Sequence, residues 1–177
     1  MSTAKTDPLL LAGKLITYIG QGLMAIAGVA LTIALPLIIF FQDKVQAEWR
    51  EEMATTADFP TLWLVAILII AAAVVALVFL FLGRLRAIIN TVGEGDPFVP
   101  ENAERLTFMA WVMLAIQIVA IPAVAIAIYL QKALEGTDAS IDAQLDLSGI
   151  ILVIMLFILA RVFRHGTVMR EDLEGTV

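Results

Sequence analysis

Leu62-Trp63-Leu64-Val65-Ala66-Ile67-Leu68-Ile69-Ile70-Ala71-Ala72-Ala73-Val74-Val75-Ala76-Leu77-Val78-Phe79-Leu80-Phe81-Leu82 carries no charged side chain and stops at Gly83-Arg84. A helix rises about 1.5 Å per residue, so about 20 apolar residues cross a hydrocarbon core of about 30 Å. Within a bilayer only helices and closed barrels satisfy every backbone group internally, and an unbroken apolar run of this length reads as a helix. Three more stretches follow the same rule: Leu15 to Phe41, Thr107 to Leu130, and Leu145 to Val162. The last is the shortest and contains Asp146 near its start. The expected fold is therefore all-α, an integral membrane four-helix bundle made of two tandem transmembrane hairpins, with a loop at 83–106 and a tail at 163–177.

Composition agrees. The chain is 61% hydrophobic and 16% charged, with a mean hydropathy of +0.96, against about 45–50% and about 25% in soluble domains. The first run is too long for the h-region of a cleaved signal peptide, which spans about 7–15 residues; it reads as a retained anchor. With no cysteine in the chain, disulfides, thiolate metal sites and paired-thiol redox chemistry fall away. A formal charge of −6 argues against direct nucleic-acid binding, which needs a basic face.

Lysine and arginine set the direction of threading, because cytoplasmic loops are enriched in them. Lys5, Lys14, Arg84, Arg86, Arg105, Arg161, Arg164 and Arg170 fall on one side of a four-span chain, and Lys44, Arg50 and Lys132 on the other. Both termini and the middle loop are expected in the cytoplasm. Trp49, Trp63 and Tyr129 then fall near the outer face, and Tyr18 and Trp111 near the inner one, as amphipathic rings at headgroup depth do.

The two hairpins share marks. Ala34-Leu35-Pro36 and Ala120-Ile121-Pro122 lie in the outer halves of the first and third spans, and the second and fourth leave through Arg84 and Arg161. Such marks fit a parallel internal repeat, although prolines and exit arginines recur in membrane helices generally. Paired kinks at Pro36 and Pro122 would widen the outer half of the bundle; a packing feature is the plainer reading.

The middle loop says more. Leu85, Ile88, Ile89 and Val92 recur at helical spacing, which predicts a short amphipathic continuation of the second span, able to lie on the headgroups. Gly93-Glu94-Gly95-Asp96-Pro97 should end it, and Pro100-Glu101-Asn102 should open the next helix. After the fourth span Val162, Met169 and Leu173 predict a helical tail, weakened at Gly166. That tail docks on the middle loop or presents a surface to a partner; the plain alternative is a solvated helix end. The acidic outer segments 42–61 and 131–146 offer several oxygens to a divalent cation, but acids on that side are also what topology selects, which is the plainer reading.

Chemistry is scarce. None of the first three spans has an ionisable residue between its ends, so the usual sign of proton coupling is missing there. Gln21 and Gln117 are the strongest polar candidates and read as interhelical contacts, each a natural partner for the other. His165, the only histidine, lacks any nucleophilic or metal constellation. No phosphate loop, zinc motif or serine triad pattern occurs. The expectation is a non-enzyme with no cofactor and no catalytic or metal residue.

Gly95-Asp96-Pro97-Phe98, with Asn102 and Leu106 downstream, and the tail Met169-Arg170-Glu171-Asp172-Leu173-Glu174-Gly175-Thr176-Val177 resemble the bacterial membrane family known as domain of unknown function 2975. The resemblance covers nearly the whole chain, although Gly175 stands where the family often has leucine. The family has no established activity to carry over. Its members often resemble products encoded beside small helix-turn-helix regulators, which implies a membrane sensor or tether for such a regulator. The implied contact residues are Gly95, Pro97, Phe98, Asn102, Arg164, Arg170, Glu171 and Glu174. The alternative is a small transporter or channel subunit, which would need self-association or a wet pore.

Overall fold

The structure is a computed structural model and describes residues 8–52, 59–133 and 148–174. Five helices take up most of them: α1 Pro8–Phe40, α2 Gln42–Glu52, α3 Thr61–Gly93, α4 Pro100–Ala133 and α5 Ser148–Glu174. Four of them, α1, α3, α4 and α5, are long and apolar enough to cross a membrane. The fold is an all-α four-helix membrane bundle.

Energetics explain why α3 sits in lipid. Its span 62–82 holds fifteen Leu, Ile, Val and Phe residues. At about −0.3 to −0.6 kcal/mol each on the insertion scale, they supply on the order of −5 to −9 kcal/mol. A single arginine at the centre would cost about 2.5–3.5 kcal/mol, so Arg84 marks where the apolar stretch gives out. No residue in the most apolar windows of α1 and α3 is buried inside the protein. Lipid has to cover those faces.

The helices pack in chain order: α1 on α3, α3 on α4, and α4 on α5. The pairings α1–α3 and α4–α5 are the two expected hairpins. Small residues allow close approach at several points. A Cβ on Gly13 would stand 3.2 Å from Ile89, and one on Gly20 would stand 2.9 Å from Leu82. The core gathers at one end, where Ile88, Leu106, Met109, Ala110, Leu156 and Ala160 are buried together and Phe81, Leu85 and Phe163 close over them.

Several expectations need correction. Residues 83–93 do not turn onto the headgroups. They extend α3 without a break, and Ile88 is buried in the core, because α4 and α5 continue past the bilayer alongside and offer a better apolar partner than the interface does. Gly166 does not weaken the tail either, since α5 runs through it to Glu174. The acidic segment after the first span is helical over α2, where Gln46 accepts a bond from the Phe59 amide at 2.9 Å and Trp49 meets the Phe59 ring edge-on at 5.3 Å. At Pro36 and Pro122 no correction arises: α1 and α4 run through them as single helices, as the packing reading allows. The expected start of the fourth span, 145–147, lies outside the described residues, as do Asp58, Glu135, Asp138, Asp142 and Asp146 of the acidic segments.

Aromatic contacts mark the bilayer. Trp63 and Tyr129 meet at 5.1 Å at one end of the bundle. At the other, Arg84 covers the Phe108 ring at 4.9 Å and Arg86 covers the Tyr18 ring at 4.8 Å. Trp63 and Arg84 are twenty-one residues apart on one helix, about 32 Å at about 1.5 Å per residue. That matches a hydrocarbon core of about 30 Å.

Candidate polar cap and groove

Below the Arg84 and Arg86 level the ends of α3, α4 and α5 and the loop 94–99 form a polar cap. α3 stops because Gly95 adopts φ +89, the left-handed region open to glycine at little cost. The Gly95 amide then bonds the Val92 carbonyl at 3.1 Å and the Asp96 amide bonds Thr91 at 3.0 Å. This is the Schellman pattern, which satisfies the last carbonyls of a helix.

Asn102 ties the turn down. It is 0% exposed. Its Nδ2 donates to the Thr91 hydroxyl at 2.8 Å and to the Pro97 carbonyl at 2.9 Å, while its Oδ1 accepts from Arg105 at 2.8 Å. A buried amide with its groups so satisfied stiffens the loop it holds. Thr91, in turn, donates to the Ile88 carbonyl at 2.9 Å.

The tail docks on this turn. The Thr167 hydroxyl donates to the Phe98 carbonyl at 3.1 Å or to its own helix at Phe163 at 3.0 Å. The Phe98 ring lies on the α5 backbone at Gly166, where a Cβ would stand 2.7 Å from the ring, and tilts against Phe163 at 5.5 Å. Arg170 pairs with Asp96. The tail therefore docks on the middle loop, as one of the sequence readings has it.

Gly95, Pro97, Phe98, Asn102 and Arg170 are thus brought together, and they hold each other. Arg164 and Glu171 are exposed on α5. Glu174 ends α5, and positions 175–177 lie outside the described residues. Sequence reasoning missed Thr91, Thr167 and Gly166. A glycine inside an otherwise helical pattern was the available signal, since such a residue often marks a close approach.

Gln21 and Gln117 do not face one another. Gln21 donates to the Phe79 carbonyl at 3.3 Å and rests 3.1 Å from where a Cβ on Gly83 would stand. Gln117 lies against Gly149, with no room for a Cβ between them. Each glutamine fits a glycine notch on its own hairpin partner, because α1 and α4 have no extensive contact through which a mutual pair could form.

The comparison with known families decides the affiliation. The family model described as "Protein of unknown function (DUF2975)" matches residues 45–177. The chain belongs to this family. The matched DUF2975 region starts inside α2 and takes in α3, α4, α5 and every contact of the cap, while α1 lies outside it. Neither the curated proteins nor the solved structures contain a match.

Beside the cap, a groove of about 1350 Å³ runs along α5 from Phe157 and Ile158, at the depth of Trp111, to Met169 and Arg170. Phe98 and Thr107 contribute to its lining, as do Arg161, Arg164 and His165.

The ion pair Arg170–Asp96 contributes little to holding the tail. Its side chains are 43% and 38% exposed, and exposed pairs are worth about 0–1 kcal/mol. Asp96→Ala should therefore shift thermal stability in detergent by under about 1 kcal/mol. A larger loss would mean that the pair, and not Phe98 and Thr167, secures the tail.

Proposed function

We propose that this membrane protein is a non-enzymatic sensor or tether, with both termini in the cytoplasm of a bacterial cell. Its cap would hold a small helix-turn-helix regulator at the inner membrane. One observation carries this reading: loop 94–99 and the tail, about 70 residues apart in sequence, form one ordered surface through Phe98, Thr167 and Arg170. Glu94, Glu101 and Glu171 are exposed on it. These carboxylates offer pairing partners to the lysines and arginines of a DNA-binding protein, whose own charge is tuned to phosphate. The excess of lysine and arginine at the same end supports the cytoplasmic orientation.

Two measurements test this. The chain has no cysteine, so single cysteines at Lys44 and Glu171 report sidedness. An impermeant maleimide applied to intact cells should label Lys44→Cys alone; labelling of Glu171→Cys would reverse the orientation. In detergent, the purified chain should bind a basic helix-turn-helix regulator encoded beside it. A chain ending at Phe163, and the variant Glu94→Gln/Glu101→Gln/Glu171→Gln, should bind at least tenfold more weakly. Equal binding by all three would overturn the proposal.

A further inference from the structure

We infer that the α5 groove seats an anionic phospholipid, with its phosphate held by Arg161 and Arg164. The inference rests on the membrane position of the helices and not on the regulator reading. Three observations converge. The groove crosses the boundary between lipid and water: Phe157, against Trp111 at 5.4 Å, and Ile158 line its upper part, while Arg161 and Arg164 line the part below. Its volume of about 1350 Å³ exceeds the roughly 300–1,000 Å³ of a typical small-ligand pocket, as a headgroup with acyl chains requires. Finally, Arg161 and Arg164 have no acidic partner among the described residues, whereas Arg84 and Arg86, at similar depth, lie over the rings of Phe108 and Tyr18.

Two cations one helical turn apart at headgroup depth are matched by a phosphate, which accepts several donated bonds at once. The apolar upper wall takes the chains that a free phosphate would lack. A lipid here would also touch Phe98, and so would bear on the surface where the tail meets the loop.

The test is native mass spectrometry of the full chain released from nanodiscs of phosphatidylcholine with or without phosphatidylglycerol. One phosphatidylglycerol should stay bound in preference to phosphatidylcholine, by at least tenfold. Arg161→Gln/Arg164→Gln should abolish that preference, and Arg84→Gln/Arg86→Gln, with the same loss of charge, should retain it. Circular dichroism melts of each variant establish that it is folded. An equal loss in both double variants would show attraction to the basic collar in general and overturn the seat. So would retention of the lipid in Arg161→Gln/Arg164→Gln, or no preference in the unaltered chain.

Discussion

Gly166→Val is expected to release the tail from the cap. A Cβ at this position would stand 2.7 and 2.8 Å from two carbons of the Phe98 ring, closer than real carbon contacts allow. On an exposed helix, replacing glycine would ordinarily be favourable, by up to about 1 kcal/mol for alanine. Here overpacking, at about 1–3 kcal/mol, opposes that gain, and valine's branching enlarges the clash. The ring has one escape, toward solvent, but leaving costs its contact with Phe163 and puts the bond from Thr167 at risk. Trypsin should then cut at Arg164 and Arg170 at least tenfold faster in nanodiscs than in the unaltered chain. Adding Phe98→Ala removes the obstructing ring and should restore much of the helix's resistance. Were the double variant cut as fast as Gly166→Val, the clash would not be the cause.

Asn102→Leu should give the largest loss of stability. Leucine has nearly the same bulk but cannot donate to Pro97 or accept from Arg105. Each buried polar group left without a partner costs about 1–3 kcal/mol, so a total of about 3 kcal/mol is expected. Asn102→Asp separates the two halves of the role. It keeps an acceptor for Arg105 but turns a carboxylate toward the Pro97 carbonyl, where a donor is needed. Both variants should melt earlier in detergent, with Asn102→Asp intermediate. A melting point unchanged in Asn102→Leu would show that the turn is held by the Schellman bonds alone.

What could be read in the sequence followed from one-dimensional signals. Charge-free stretches located the spans, and Gly95 with Pro100 located the break between α3 and α4. The lengths were less legible. The α3 extension through Ile88 looks amphipathic in isolation, and only the presence of α4 and α5 beside it decides that its apolar face is buried in protein. Likewise Gly166 looks like a helix breaker until Phe98, 68 positions earlier, is seen to occupy the space above it. Gln21 and Gln117 could not be partnered from sequence, because the notches at Gly83 and Gly149 depend on the register between helices. The cap residues were visible as a group. What was not visible was that most of them are spent on each other, and that Arg161 and Arg164 have no acidic partner among the described residues.

The chain-order packing of α1, α3, α4 and α5 bears on how the molecule is made. As each span leaves the ribosome and enters the bilayer, the helix it will pack on has just preceded it, so no segment waits for a distant mate. Pairing can proceed vectorially during synthesis, with the low contact order that favours rapid folding. The last turns of α5 must also reach back to the turn that follows α3, so closure of the cap comes after the spans have paired.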